Sequence, residues 1–271
     1  MTFRLIALDV DGTLLNDEHE LTPRVRDAVR AAAAGGAEIV LCTGRGSNSA
    51  LPVLDSLGLE GTLVTHNGAC IVESKSRKAL RESVIEANAI GKYLAYCRES
   101  GVHFDMNTAF DLYVESMTDE IAGMYERLLV KPILWEQSRG VPEGLLKVSI
   151  FAEKEALDRM EEEWASWEHE LQTVRSGDYF FDVQHKEATK GAALAHLASQ
   201  RGVRPEEVLA IGNYYNDIGM IRFAGLGVAM ANSPDPVKEA ADETTVSNNE
   251  DGVAVVLEEK VIRPANGGAV R

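Results

Sequence analysis

Cysteine is scarce in this chain of 271 residues, which carries only Cys42, Cys70 and Cys97. An odd, widely spaced trio offers no disulfide framework. No CxxC pair or His/Cys cluster accompanies it, which excludes a structural zinc site of the usual spacing. Such thiols fit a reducing compartment, so a cytoplasmic protein is expected. Basic residues are also in short supply: 27 Lys and Arg face 43 Asp and Glu, for a net charge of -16. That balance argues against nucleic acid as a partner, because its phosphates are bound by Lys and Arg. It argues equally against an anionic membrane surface. A small phosphorylated ligand is not excluded, since one lysine and one metal ion can override the global field locally. No apolar stretch approaches the roughly 20 residues that span a bilayer. The first residues lack the basic-then-apolar order of a secretory signal. What remains is an ordinary globular composition, 45% hydrophobic, long enough for one large domain or two modest ones.

The richest stretch is residues 5–15. An apolar run from Phe3 to Leu8 ends in Asp9-Val10-Asp11-Gly12-Thr13. A short apolar run bounded by turn residues suits a strand buried in a parallel sheet. In open α/β sheets ligands bind beyond the carboxyl ends of strands. Asp9 and Asp11, one residue apart, point to one face and can converge on a cation or a phosphate. An acidic turn is the plain alternative. A calcium loop is a second one, with Asp9, Asp11 and Glu20 at positions 1, 3 and 12. It fails because Leu14 stands where that loop needs glycine and because the preceding segment reads as a strand. The third reading is a nucleophilic aspartate with an acid/base partner.

Further along, Thr22-Pro23 opens a helix that stops at Gly35-Gly36. A second apolar strand, 37–42, ends in Thr43-Gly44-Arg45-Gly46. This nearly matches a dinucleotide fingerprint but has Ser49 in place of the third glycine. Phosphate binding by the Thr43 hydroxyl and the Gly44 N–H, near a helix start, is the other reading. A third strand, 62–65, runs into the turn His66-Asn67-Gly68. From about residue 83 to 186 the pattern changes. Helices near 87–100, 118–129 and 153–167 alternate with strands at 102–106, 112–114, 145–151, 171–174 and 179–183. Several of these strands are joined by short turns, as in an α+β layer with helices on one face. Helix–strand alternation then resumes, with Thr189-Lys190-Gly191 opening a helix and Gly212-Asn213-Tyr214-Tyr215-Asn216-Asp217 ending a strand. The expected fold is α/β: a doubly wound, Rossmann-like parallel-sheet core (1–82 and 187–271) with an inserted α+β cap domain (83–186). The last residues, 261–271, read as a frayed tail.

Four stretches now form an ordered set: Asp9-x-Asp11-Gly12-Thr13, Thr43-Gly44-Arg45, Thr189-Lys190-Gly191 and Gly212-Asn213-x-x-Asn216-Asp217. Each lies at a strand end or a helix start. In order and placement they resemble the four motifs of the haloacid dehalogenase superfamily. The cap position, together with Asn67-Gly68-Ala69, Asn232 and the segment 249–252, is similar to its Cof-like branch. The resemblance implies a phosphatase in which Asp9 is the nucleophile and Asp11 the acid/base. Thr43, Gly44, Lys190 and Asn216 would bind the phosphoryl group. A magnesium ion would be held by Asp9, Asp11, Asn213 and Asp217, and Arg45 and Asn67 are candidate substrate contacts. His103, Tyr113, Lys147 and Arg175 are unranked candidates in the cap.

The chemistry follows from the residue types. A carboxylate approaching a phosphate dianion is repelled unless a cation cancels the charge, and oxygen ligands suit magnesium. The chain departs from the family at Asn213, where the usual residue is Asp, so its metal site carries one negative charge fewer. The expected activity is magnesium-dependent hydrolysis of small phosphate monoesters, sugar phosphates foremost, through an aspartyl-phosphate. A phosphosugar mutase and a non-catalytic phosphometabolite-binding protein are the alternatives.

Overall fold

The structure, a computed structural model, describes residues 2–127, 130–167, 171–177 and 179–262. Its first strand, β1 (Leu5–Leu8), shows why the core forms. Ile6 and Leu8 join one apolar cluster, whereas Leu5 and Ala7 join another on the opposite face. The same division holds for β2 (Glu38–Cys42), where Ile39 and Leu41 oppose Val40 and Cys42. Strands apolar on both faces need helices on both faces. Here α1 (Pro23–Ala34), with Thr22 as its cap, and α2 (Ser47–Ser56) cover one side. The other side is covered by a helix that follows the cap.

After β3 (Thr62–Thr65) the chain turns at His66–Gly68 and runs back as β4 (Cys70–Glu73) and β5 (Lys78–Glu82). The sequence reading placed neither of these two antiparallel strands, although it took the structural duty of Asn67-Gly68 to be a turn. The core sheet is therefore mixed at one edge.

The second layer begins with α3 (Ala87–Ser100), followed by β6 (His103–Asn107), β7 (Leu112–Val114), α4 (Asp119–Arg127) and β8 (Ile133–Leu134). It continues with β9 (Lys147–Phe151), α5 (Lys154–Trp164), β10 (Leu171–Gly177) and β11 (Phe180–His185). Its strands form one six-stranded sheet in the order β10-β11-β9-β6-β7-β8, antiparallel except for β7 with β8. One face of this sheet, with Phe104, Met106, Val148, Ile150, Phe181 and Val183, packs on Tyr93, Leu94, Leu157 and Trp164 of α3 and α5. The other face is polar at its centre, while Val114, Phe151 and Phe180 on it pack against Met124 and Tyr125 of α4. Register aligns Asp105 with Ser149 and Ser149 with Asp182, and aligns Asn107 with Lys147 and Lys147 with Gln184. Most of these side chains are nonetheless buried: Asp182 and Lys147 face core residues Asn67 and Gly44, and Asp105 accepts from Tyr125 of α4.

The chain re-enters the core through α6 (Lys190–Gln200), β12 (Val208–Gly212), α7 (Ile218–Phe223), β13 (Leu226–Ala229), α8 (Asp235–Ala240), β14 (Glu243–Thr244) and α9 (Gly252–Leu257). The eight-stranded order is β14-β13-β12-β1-β2-β3-β4-β5, with six parallel strands before the antiparallel edge. The doubly wound α/β core expected from sequence is present. Helix α6 packs on the face opposite α1 and α2. Helical structure continues to Ile262, and the rest of the expected tail lies outside the described residues. Among the described residues no helix is long and apolar enough to cross a membrane.

Two helical glycines differ in what surrounds them. A Cβ on Gly191 would meet the Gly219 backbone at 2.5 Å, because α6 and α7 touch there, whereas one on Gly91 would meet nothing within 4 Å. Gly191→Ala is expected to lower stability by ~1–3 kcal/mol through overpacking. Gly91→Ala is expected to raise it by ~0.5–1 kcal/mol through the lost chain entropy of glycine. Urea unfolding midpoints of the two variants check the pair; shifts of the same sign would mean that α6 and α7 can part without cost.

Candidate active site

The carboxyl ends of β1, β2 and β12 bring the sequence motifs to one edge. Asp9 follows β1 directly, with its N–H on the Ile211 carbonyl of β12 at 3.0 Å. Lys190, the first residue of α6, lies beneath it. The Lys190 Nζ donates to Asp9 Oδ1 at 2.7 Å and to Asp217 Oδ1 at 2.6 Å, and the lysine side chain is 1% exposed. A cation at a helix N-terminus opposes the helix dipole. The two carboxylates more than offset that: burial works against the ammonium, but Asp217 and Asp9 hold its pKa above the ordinary lysine range. Burial and the neighbouring Asp217 push the Asp9 carboxyl up as well, to about 7, against the opposing pull of Lys190.

Asp217 was expected among the metal ligands. In the structure Oδ1 goes to Lys190, and Oδ2 accepts from the backbone N–H groups of Asn213 and Tyr214 at 2.9 Å each. It therefore shapes the loop and fixes the lysine. Asn213 reaches the opposite side of Asp9. With its amide nitrogen turned inward, it donates to Asp9 Oδ2 (3.0 Å), the Asp11 carbonyl (3.1 Å) and Thr13 Oγ1 (3.2 Å). Three oxygen acceptors thus converge on one point. Among the described residues no group of three His, Cys, Asp or Glu side chains is placed to hold a metal ion. A metal here would draw on main-chain and amide oxygens.

The Asp11 side chain lies apart from that point. Arg45 holds it with Nε on Oδ2 at 2.8 Å and Nη2 on Oδ1 at 2.5 Å. Arg45, expected at the substrate, is thus the partner of the expected acid/base. Thr43 is buried, and its Oγ1 accepts the Arg45 N–H at 3.0 Å, leaving the hydroxyl proton to donate. Gly44 beside it lets Asn67 come close: a Cβ there would lie 2.8 Å from Asn67 Oδ1. Asn67 itself sits in the left-handed region at φ 56°. Its Oδ1 accepts from Asn216 Nδ2 at 2.9 Å, and its Nδ2 donates to Asp182 Oδ2 of the second layer at 3.0 Å. It was expected at the substrate and is found bridging the two layers.

Two residues enter from the second layer. Lys147 Nζ donates to the Gly44 carbonyl at 3.1 Å and lies 3.5 Å from Asp182 Oδ2. Sequence reasoning held Lys147 as one of four unranked candidates and missed Asp182. The signal for both was polar residues two apart with an apolar residue between, Lys147 and Ser149 in one strand and Asp182 and Gln184 in the other. His66, next to Asn67, is buried, and burial with the charge of Lys147 pushes its imidazole down to about 3. Further support comes from Asn232, whose Nδ2 donates to the Gly12 carbonyl at 2.9 Å, and Asn248, which donates to the Leu15 carbonyl at 3.1 Å.

A family model for haloacid dehalogenase-like hydrolases matches residues 6–257. The chain belongs to the haloacid dehalogenase-like hydrolases. Within this family it is 37% identical to the Bacillus subtilis (strain 168) protein YxeH over 267 residues, covering 96% of this chain and 99% of that one. It is 32% identical to the 5-amino-6-(5-phospho-D-ribitylamino)uracil phosphatase YcsE of the same strain, over 96% of each. The solved structure of the subclass IIB sugar phosphatase BT4131 superposes with a TM-score of 0.82 at 25% identity, over 94% of this chain and 98% of that one. Both Bacillus subtilis relatives bear phosphatase names, and the chain is a phosphatase of this superfamily.

Lys190→Met would leave the buried carboxylates of Asp9 and Asp217 without their shared cation. Removing one partner of a buried ion network costs about 3–5 kcal/mol, and a loss of that order is expected at pH 8. An acid whose folded pKa lies above its unfolded value loses its destabilising effect as the pH falls through the folded value. The deficit against wild type should therefore shrink from pH 8 to pH 5 as Asp9 takes up a proton. Urea titrations across that range check it, and a constant deficit would refute the electrostatic account.

Proposed function

We propose that this phosphatase hydrolyses small phosphate monoesters, sugar phosphates foremost, with magnesium and through an aspartyl-phosphate on Asp9. The observation that carries the reading is the two-sided fixing of Asp9, with one oxygen on Lys190 and the other at the convergence of Asp11 carbonyl, Thr13 and Asn213. The donor set fits magnesium, a hard cation that takes oxygen ligands. Asp9 Oδ2, the Asp11 carbonyl and the amide oxygen of Asn213, once turned, would hold it. When bound, the ion neutralises charge between an attacking carboxylate and a phosphate dianion.

The chain's own groups account for the rest. An Asp9 oxygen attacks phosphorus, and the bond from phosphorus to the ester oxygen breaks. Asp11 gives its proton to the leaving alkoxide, then takes one from the water that attacks the aspartyl-phosphate. Inorganic phosphate leaves and the Asp9 carboxylate is restored. For Asp11 to act, the Arg45 fork must open as substrate enters. Thr43, the Gly44 N–H, Lys190 and Asn216 stabilise the transferring group, which is the main task in phosphoryl transfer. A cavity of ≈ 300 Å³ opens beside Arg45, lined by Gly46, Ser47, His66, Asn107, Thr108 and Phe110 among others. Its hydroxyl and amide groups, with the Phe110 ring and the charged Asp111 and Lys131 at the same cavity, suit a polar, hydroxyl-bearing leaving group, which supports the sugar reading.

Phosphate release from a panel of sugar phosphates, alditol phosphates and nucleotides tests the proposal. Release by wild type should require magnesium, and Asp9→Asn should lose at least ~10³-fold in kcat, in line with removal of a covalent nucleophile. No release from any member by folded wild type would favour a mutase, which conserves the phosphoryl group, or a binding protein.

Asn213 supplies a second test. Restoring a carboxylate with Asn213→Asp is expected to lower the half-saturating magnesium concentration and the calorimetric dissociation constant by about tenfold, the scale of ~1.4 kcal/mol from one added charge near the ion. An unchanged constant would put the ion elsewhere.

A further inference from the structure

Amide side chains have a direction, one end donating and the other accepting. The chain Asp182–Asn67–Asn216 uses that direction. Asp182 is 1% exposed and fixed from behind, with Ser149 Oγ donating to its Oδ1 at 2.7 Å and Lys147 near its Oδ2. An ionised carboxylate only accepts, so Asn67 must turn its nitrogen toward Asp182. Its oxygen then faces Asn216, which must in turn present its own nitrogen. A side-chain amide nitrogen carries two N–H groups. One of Asn216 goes to Asn67, and under the proposed function the second is left for the phosphoryl group. The opposite polarity would turn the Asn216 oxygen, an acceptor, toward the oxygens of a phosphate.

We infer that Asp182, a residue of the second layer, is a positioning residue that sets the amide direction of Asn67 and thereby of Asn216, so that phosphate binding depends on the seating of that layer over the core. The inference rests on the phosphatase reading. Among the described residues nothing on the core side would fix the direction alone: there the Asn67 amide bonds only Asn216 and Asp182, and Asn216 Oδ1 has no partner. Lys147 reinforces the seating, since its ammonium ties Asp182 to the Gly44 carbonyl next to Thr43. The left-handed backbone of Asn67 and the absent Cβ of Gly44 allow the close approach the chain needs.

The test is the dissociation constant of inorganic phosphate, read by calorimetry with magnesium present, alongside KM and kcat for the best ester. Asp182→Ala should raise the phosphate constant and KM by about tenfold, the worth of one oriented hydrogen bond to a charged group, with kcat altered less. Asp182→Asn, whose carbonyl can still accept from Asn67, should stay within about threefold of wild type. Asn67→Asp introduced into Asp182→Ala places an acceptor before Asn216 whichever way it turns. That double variant should recover most of the lost affinity, which a merely structural role of Asp182 does not predict. A double variant no better than Asp182→Ala, or an Asp182→Ala that binds phosphate as wild type does, overturns the inference. Melting temperatures report folding. Should Asp182→Ala not fold, Asn67→Gly removes the relay while keeping the left-handed turn, and an unchanged phosphate constant there overturns the inference equally. A wild type that binds phosphate but releases none from any ester removes the phosphatase reading and leaves the relay to be judged on affinity. A wild type that binds no phosphate overturns both.

Discussion

One buried ammonium organises the functional edge of this protein. Lys190 lies at the start of a helix, out of contact with water, and touches two carboxylates from different strand ends. A lysine so placed is tolerable only with partners. The carboxylates are equally costly to bury without it. The three groups therefore specify one another's positions, and with them the relation of α6 to β1 and the loop after β12. That loop is drawn in further by Asp217, which ties down two of its N–H groups. Asp9 is left with one oxygen held and one directed at the convergence of acceptors around Asn213. A carboxylate fixed in this way has little orientational freedom left to lose, which supports the nucleophilic role proposed for Asp9.

The turn His66–Gly68 performs the corresponding task between layers. Asn67 donates its N–H to the Thr43 carbonyl, and His66 donates its own to the Arg45 carbonyl. Gly68, at φ +100°, lies so close to Thr189 that a Cβ would collide with its carbonyl. The turn thus touches the loop after β2, the start of the helix that carries Lys190, and, through Asn67, the second layer. Left-handed backbone at consecutive residues is uncommon and persists where surrounding contacts over-determine it. Those contacts are on three sides here. A shift of the second layer cannot leave this turn untouched, so the sheet that forms the roof of the cleft is also coupled to its floor.

The residues legible in the sequence were those whose position along an element is itself the signal. Asp9 and Asp11 end an apolar strand, Thr43-Gly44 ends another, and Lys190 follows a capping threonine. Local chain geometry puts such residues at the sheet's carboxyl edge before any packing is considered. The strands at 70–73 and 78–82 were not legible, because Lys78–Glu82 is mostly charged or half-exposed and adds to a sheet edge instead of a core. Asp182 and Lys147 were missed or unranked for a related reason. Alternating polar residues on antiparallel strands ordinarily face water, and only the docking of the two layers turns that face into a buried one. Asp217 was legible as a site residue but not in its duty, since a carboxylate that caps its own loop and one that binds a metal share the same sequence.

Asn213 links these points to electrostatics. Three carboxylates, Asp9, Asp11 and Asp217, meet two cations, Lys190 and Arg45, so the site is already close to neutral before substrate arrives. A fourth carboxylate at 213 would sit within hydrogen-bond distance of Asp9 Oδ2 and the Asp11 carbonyl, where like charges in a desolvated setting repel strongly. An amide there donates to those same oxygens and relieves them. The exchange lowers the attraction for a divalent cation and lowers the self-repulsion of the site together. Under the magnesium site proposed above, Asn213 trades metal affinity for less repulsion around Asp9, whose carboxyl is already pushed up to about 7 by burial and by Asp217.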